Sequence, residues 1–238
     1  MAHNERFETT HWSVVLAAGG ENSMAARRAL GALCEAYWYP LYAYVRREGY
    51  DVEGAQDLTQ SFFLHLLERQ DVQDVRRERG RFRSFLLTSL RNFLISDLRH
   101  ERALKRGGGH VAVPLEFDAA EHRYSEEPVD TETPETVFDR RWARTILDRV
   151  LRGLRAEAEQ AGKTAEFDQL RGCLMGDIPT GGYKGLAAKL HASEGAVKVA
   201  VHRLRHRFRR RVRAIIAETV DTDDAIDDEI QHLFKALG

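Results

Sequence analysis

The spacing of apolar residues restricts the fold of this chain more than any other feature. These residues recur at every third or fourth position, as they do on the buried face of an α-helix. The chain has only 5 prolines among its 238 residues, so few positions forbid a helix. Both features predict an all-α fold. The clearest series is Phe138, Trp142, Ile146, Val150 and Leu154.

The apolar series also predicts where the helices lie. Pro40 should break or kink the first helix, because proline lacks the N–H that a helix interior needs. Asp51 stands where the second helix needs an N-cap. Three consecutive glycines at 107–109 end the third helix, and the acidic stretch after them has no apolar period, which indicates a flexible linker. The predicted helices cover about residues 24–48, 52–69, 82–104, 138–154, 164–175, 183–191, 193–213 and 223–237.

Charge is segregated along the chain, although the formal net charge is only -1. Residues 76–106 hold ten Lys/Arg and three acids, whereas residues 116–139 hold nine acids and one Arg. Residues 193–213 are again basic, and residues 214–238 hold seven acids and one Lys. Such blocks indicate basic binding surfaces separated by acidic connectors. The simpler alternative is a set of ordinary solvated helix faces.

The basic stretch 193–213 combines an apolar stripe with a charged face. Ser193 stands at the N-cap position, and the helix before it carries small residues where a second helix must cross closely. Two helices joined by a tight turn, the second one basic, are typical of a DNA-binding helix-turn-helix. The stripe consists of Val197, Val201, Leu204, Phe208 and Val212, and the predicted DNA contacts are Lys198, His202, Arg203, Arg205 and Arg209.

No motif in the chain predicts catalysis. The stretch GDIPTGGYK lacks the Gly-to-Lys spacing of a phosphate loop, and the 10 histidines form no HExxH pattern. Cys34 and Cys173 form no CxxC pair, so neither a zinc site nor a disulfide framework is indicated. We therefore expect no catalytic residue, no metal and no cofactor. Since neither a signal peptide nor a transmembrane-length apolar run is evident, we expect a cytoplasmic protein that does not contact membranes.

Three motifs, in this order and spacing, resemble bacterial RNA polymerase sigma factors of the extracytoplasmic-function (ECF) class, within the sigma-70 family. The first helices of region 2 in that family resemble LCEAYWYPLYAYVRREGYDVEGAQDLTQSFFLHLLE. The helix that melts and reads the minus-ten element resembles RGRFRSFLLTSLRNFLISDLRHERALKR. Region 4, which reads the minus-thirty-five element, resembles YKGLAAKLHASEGAVKVAVHRLRHRFRR.

The resemblance implies two small helical domains joined by a flexible acidic linker. It places region 2 at 27–106, the linker at 107–137 and the helix-turn-helix region 4 at 138–213. Residues 1–26 and 214–238 would be extensions. Such a protein is not an enzyme: it binds core RNA polymerase and promoter DNA, and it directs promoter recognition, melting and transcription initiation.

The resemblance also assigns residues within region 2. Helix 52–69 would dock on the clamp helices of the polymerase, and helix 82–106 would neutralise phosphates beside a flipped minus-ten base. Thr59 lies in the docking helix and is a candidate phosphorylation site, because the matching subgroup includes members thought to be controlled by Ser/Thr kinases. The implied polymerase contacts are Glu53, Asp57, Gln60 and Glu68, and the implied DNA contacts are Arg83, Arg91, Asn92, Arg99 and Arg102.

The chain departs from the family pattern at three places. His191 stands where the turn before the recognition helix usually has glycine, and left-handed backbone is less comfortable for a residue with a Cβ. Val199 and Ala200 replace a small polar residue and an arginine. Ser96, rather than Asp97, falls where the family usually has an aspartate. The residue at 191 will show whether the turn keeps its usual backbone conformation without glycine. The other departures mean that the family pattern does not predict which promoter sequence is recognised.

Several alternatives stay open at this point. A stand-alone helix-turn-helix regulator would explain residues 139–213 but would leave 27–106 without a task. A structural helical adaptor would explain neither basic helix. The linker could imitate nucleic acid along the polymerase channel, or it could be a plain spacer. An anti-sigma factor or a Ser/Thr kinase is a further partner that the resemblance allows.

Overall fold

A computed structural model describes residues 24–68, 81–103, 121, 124, 132–176, 181–220 and 222–238. These residues form eight α-helices and no strand ladder, only an isolated bridge between Arg81 and Val220. The predicted all-α fold is therefore confirmed. The helices are α1 (Met24–Arg47), α2 (Val52–Glu68), α3 (Phe82–Ala103), α4 (Pro134–Gln160), α5 (Thr164–Leu170), α6 (Gly182–Lys189), α7 (Glu194–Ala217) and α8 (Asp223–Lys235).

Four helices depart clearly from their predictions. Helix α4 extends past both predicted ends, and α7 continues to Ala217 instead of ending at 213. Helix α1 runs unbroken through Pro40, so the predicted break at this proline was wrong, whereas a kink there stays a prediction. The residues around Pro40 are buried, and their packing offsets the backbone hydrogen bond that proline cannot make. Helix α5 ends at Leu170, where a single 3-10 turn (Arg171–Cys173) follows in place of the predicted continuation to 175.

Two predicted N-caps are confirmed by their hydrogen bonds. The carboxylate of Asp51 accepts a bond of 2.8 Å from the backbone N–H of Gly54 at the start of α2. The hydroxyl of Ser193 accepts a bond of 3.2 Å from the N–H of Ala196 at the start of α7. Each cap satisfies one of the N–H groups that the first turn of a helix leaves without a partner.

The chain divides into two compact units that are not consecutive in sequence. Unit 1 comprises Met1–Thr145 together with Ile216–Gly238, and unit 2 comprises Ile146–Ile215. The division falls inside α4 and inside α7. Residues 216–238, called the C-terminal segment below, therefore belong to the same unit as α1, α2 and α3.

The core of unit 1 contains residues of α1, α3 and α4 together with residues of the C-terminal segment. Tyr37 of α1 packs edge-on against Phe82 of α3, with ring centroids 5.1 Å apart. The indole N–H of Trp142 donates a hydrogen bond of 3.0 Å to the Tyr37 hydroxyl. From the C-terminal segment, the carbonyl of Thr219 accepts a bond of 2.9 Å from the N–H of Phe82. The buried residues of this segment include Val220, Ile226 and Leu233.

The core of unit 2 is built on the apolar stripe of α7. All five stripe residues predicted from the sequence are buried, and they share the core with residues of α4, α5 and α6. Burial of this face follows from the helical spacing, since positions three and four apart lie on one side of a helix. The other buried residues of the unit include Ile146, Val150, Leu154, Phe167, Leu170, Leu186 and Ala187.

Candidate nucleic-acid interface

The turn between α6 and α7 fixes how the basic helix begins. His191 has φ of 49°, the left-handed conformation that glycine usually supplies. The N–H of Ala192 bonds to the carbonyl of Ala187, and the N–H of His191 bonds to that of Ala188. These two bonds are those of a Schellman motif, which needs a left-handed residue at this position. The turn therefore keeps its geometry with histidine in place of glycine.

The outward face of α7 is basic and open. His202, Arg203, His206, Arg209 and Arg210 are all exposed. Among the residues that the structure describes, no carboxylate pairs with Arg203, Arg209 or Arg210. Exposed guanidinium groups without an internal partner can neutralise phosphates at little cost, because they need not break an existing ion pair.

Two of the predicted DNA contacts on α7 already have partners. The Lys198 ammonium lies 2.7 Å from the carboxylate of Glu194, and the hydrogen bond that it donates to Glu194 raises the pKa of Lys198. Arg205 is half-buried, and its Nε donates a hydrogen bond of 2.8 Å to the backbone carbonyl of Cys173. Of the five predicted contacts, His202, Arg203 and Arg209 are thus the exposed ones without a partner among the described residues, and Arg205 ties α7 to the 3-10 turn after α5.

Glu157 of α4 anchors the other side of α7. Its carboxylate accepts hydrogen bonds from Arg207 and Arg211, one of them 2.8 Å long from Nε of Arg211. The hydrogen bonds from Arg207 and then Arg211 hold the pKa of Glu157 below its usual value. These two arginines therefore hold α7 against α4.

The predicted basic face of α3 contains one buried arginine. Arg83 is 7% exposed. Its Nε lies 3.0 Å from the Glu229 carboxylate of the C-terminal segment, and its Nη1 lies 2.6 Å from Asp139. Burial is the largest single effect and lowers the pKa of Arg83, but the charge and hydrogen bonding of Glu229 together with the charge of Asp139 outweigh it, and the pKa is raised overall. Contact between Arg83 and DNA stays a prediction, and it would require the C-terminal segment to move.

The other predicted DNA contacts of α3 lie farther along the helix. Arg91 is exposed, pairs with Glu135, and donates a hydrogen bond of 3.2 Å to the Tyr44 hydroxyl. Asn92 is exposed beside it. Arg99 and Arg102 lie in the helical part of α3, but their side chains are outside the described residues. Of the five predicted DNA contacts on α3, Arg91 and Asn92 are therefore the described ones that solvent can reach.

The predicted polymerase contacts on α2 differ in how accessible they are to solvent. Glu53 and Asp57 are exposed, Gln60 is half-buried, and the side chain of Glu68 is outside the described residues. Thr59 is fully buried, and its hydroxyl donates a hydrogen bond of 2.7 Å to the carbonyl of Ala55. Phosphorylation of Thr59 stays a prediction, and a kinase would have to open this part of the helix first.

Sequence reasoning missed the residues that bury Arg83. Glu229 is itself fully buried and lies within 3.3 Å of Arg81 as well as near Arg83. Asp139 also pairs with His232 at 3.0 Å. A signal was present in the sequence, because Glu229 lies among Ile226, Ile230 and Leu233 on the apolar side of its helix. An acid in that position requires a basic partner inside the fold.

The described residues point to no metal chemistry and no membrane span. Within them, no group of three or more His, Cys, Asp or Glu side chains could hold a metal ion. A search of the same residues found no helix with both the length and the apolar character needed to cross a bilayer.

One comparison with known families gives a match. Residues 33–104 match the family model of sigma-70 region 2. The matched stretch makes up less than a third of the chain. The match covers most of α1, the whole of α2 and the whole of α3. Searches of curated proteins and of solved structures gave no match.

The matched stretch holds both sets of residues that the resemblance assigned to region 2. The exposed carboxylates of α2 and the exposed Arg91 and Asn92 of α3 lie within residues 33–104. The match ends before α4, so α6 and α7 are outside it. Buried Arg83 also lies inside the matched stretch, whereas its partners Asp139 and Glu229 lie outside it.

Proposed function

We propose that this chain is an ECF-class sigma factor that binds core RNA polymerase and directs promoter recognition, melting and transcription initiation. The observation that carries the proposal is the region 2 match across α1, α2 and α3. Region 2 is the part of such proteins that docks on the polymerase and opens the minus-ten element. Two exposed basic or polar side chains of α3, Arg91 and Asn92, suit that task.

The exposed acids of α2 would form the polymerase-binding surface. Glu53 and Asp57 face solvent, with Gln60 at the margin of the buried side and Glu68 at the end of the helix. A negative face of this kind attracts a basic partner and speeds its encounter. The basic clamp helices of the largest polymerase subunit, which the resemblance names as the docking site, are such a partner.

Melting would depend on α3. Arg91, Arg99 and Arg102 would hold the phosphates of the separated strand, and Asn92 would border the pocket for a flipped base. Unpairing one base costs a few kcal/mol, so capture of that base in a pocket shifts the equilibrium towards open DNA. Arg83 would join this surface only after release from Glu229 and Asp139.

Helices α6 and α7 would form the promoter-reading helix-turn-helix of region 4. Three features support this assignment: the tight turn at His191, the N-cap at Ser193, and the open basic face of α7. A helix that enters the major groove reads bases with its N-terminal half and holds phosphates with the rest. His202 and Arg203 would then lie near base edges, with Arg209 closer to the backbone.

Run-off transcription tests the proposal directly. Purified chain is mixed with core RNA polymerase and fragments of genomic DNA, and the expected result is transcripts with defined starts that need both proteins. Asp57→Lys should reduce these transcripts and the copurification with core polymerase. Asp168→Lys, the same charge change at an exposed site of α5, serves as the control and should leave both unchanged.

Two results would contradict the proposal. One is selective binding to duplex DNA without any copurification with core polymerase, which would identify a stand-alone regulator instead. The other is equal loss of transcripts in the Asp57→Lys and Asp168→Lys variants, which would remove the role assigned to α2.

A further inference from the structure

The outward face of α7 contains one apolar side chain among basic ones. Val199 is 50% exposed, although the valines two residues before and after it are buried. Each residue turns a helix by about 100°, so Val199 points about 200° away from Val197. It therefore lies at the centre of the face opposite the core, with His202 and Arg203 one turn farther along.

Exposure alone would not give this side chain a role, because single apolar residues are common on protein surfaces. Its position is more informative. Valine is a weak helix former, and an exposed site in a helix gains nothing from it in folding. Its one preferred rotamer makes it a rigid apolar knob, which loses little conformational entropy when another surface covers it.

The residue one turn before Val199 leaves space around it. Gly195 is exposed, and no atom lies within 4 Å of the position that a Cβ there would occupy. The N-terminal part of α7 thus presents a low surface at Gly195, the Val199 side chain, and then His202 and Arg203. A glycine at such a place lets the backbone approach a partner closely.

We propose that Val199 is a specificity-determining residue that contacts the C5-methyl group of a thymine in the major groove. This inference rests on the proposed DNA-binding role of α7. Thymine alone presents a methyl group in that groove, and apolar side chains are its natural contacts. His202 and Arg203 supply hydrogen-bond donors on either side, so the apolar contact falls inside a polar reading surface rather than at its edge.

The test removes the methyl group and the side chain separately. Duplexes that the full chain prefers, alone or with core polymerase, are selected from a random library. Each thymine of the selected site is then replaced by deoxyuridine, which lacks only the methyl group, and Kd is measured for wild type, Val199→Ala and Met175→Ala. Met175 is the matched control, because it is 51% exposed in the same unit and lies outside α7.

At one thymine, the uracil replacement should weaken wild-type binding about four-fold, the effect of burying one methyl-sized group. Val199→Ala should weaken binding to the thymine site by a similar factor and should bind the uracil site no worse than the thymine site. Met175→Ala should respond to uracil as wild type does. Unchanged circular dichroism and thermal midpoint of Val199→Ala would show that the variant is folded.

Two outcomes would overturn the inference, and they are distinguishable. If wild type binds selectively but Val199→Ala keeps the full response to uracil, the methyl group is read by another residue and the DNA-binding role of α7 stands. If wild type selects no sequence with or without core polymerase, the proposed function of α7 fails as well.

Discussion

Single residues on α7 divide into those that hold the helix and those left to face a ligand. Arg207 and Arg211 are engaged by Glu157, and Arg205 by the carbonyl of Cys173. Arg203 and Arg205 stand on either side of the stripe residue Leu204, but Arg203 has no partner among the described residues. Neighbouring arginines with equal charge therefore have different environments, and their substitution should have different effects.

Arg203→Ala and Arg205→Ala should consequently separate binding from stability. We expect Arg203→Ala to weaken binding to the preferred duplex by about 1–3 kcal/mol, the cost of losing a bidentate guanine contact. Arg205→Ala should instead lower the free energy of unfolding by about 1 kcal/mol, because it removes a hydrogen bond within the fold. Fluorescence anisotropy and urea unfolding of both variants measure the two effects.

A different result for Arg203 would change its assignment. Equal weakening on all sequences, with a smaller dependence on salt, would mean a phosphate contact instead. No change in binding for Arg203→Ala would contradict the reading role altogether.

Thr59 gives a second prediction at the residue scale. Thr59→Val keeps the shape of the buried side chain and loses one local hydrogen bond, so unfolding should become easier by about 1 kcal/mol or less. Thr59→Glu places a charge without a partner in a fully buried site and should cost more than about 3 kcal/mol. Urea unfolding compares the two variants, and polymerase affinity should follow stability. A fully phosphorylated chain with an unchanged unfolding midpoint would contradict this prediction.

At the scale of helices, the local signals of the sequence were sufficient to predict most elements. The N-caps at Asp51 and Ser193 were found because a cap acts within three residues of itself. The environment of Arg83 was not found, because its partner Glu229 lies 146 residues away. Helical periodicity shows that a side chain is on the polar side of its own helix, and it does not show which other segment covers it.

The Arg83–Glu229 pair should be a major support of the C-terminal segment. Glu229→Leu leaves the charge of Arg83 buried with Asp139 as its remaining close carboxylate, and breaking one side of a buried pair costs about 3–5 kcal/mol. The control Asp228→Asn changes a carboxylate whose side chain is 68% exposed, and it should cost about 1 kcal/mol or less. Urea unfolding followed by circular dichroism measures both.

A double variant completes that experiment. Arg83→Met combined with Glu229→Leu removes both charges, and it should recover much of the stability that Glu229→Leu loses. If Glu229→Leu and Asp228→Asn unfold at the same urea concentration, the buried pair does not support the segment.

Over the whole molecule, the chain leaves unit 1 at Thr145 and returns to it at Ile216. The contacts that the C-terminal segment makes with α3 therefore close a long loop. Forming them costs the conformational entropy that the chain loses when this loop is closed. Since residues 216–238 follow unit 2 in the chain, unit 1 completes its core only after residues 146–215 have been synthesised. The stretch that matches the family model thus shares its unit with a segment outside the match.

The last prediction follows from this topology: a fragment of residues 1–145 should not hold its fold alone. It lacks Val220, Ile226 and Leu233, and full burial of each such side chain is worth about 1.5–3 kcal/mol. Their sum is comparable with the 5–15 kcal/mol by which a typical domain is stable. A synthetic peptide of residues 216–238 should raise the helicity and the urea midpoint of the fragment when it is added in trans. The peptide with Ile226→Asp is the control and should have no such effect, whereas a fragment as stable without peptide as with it would refute the role of the C-terminal segment in completing unit 1.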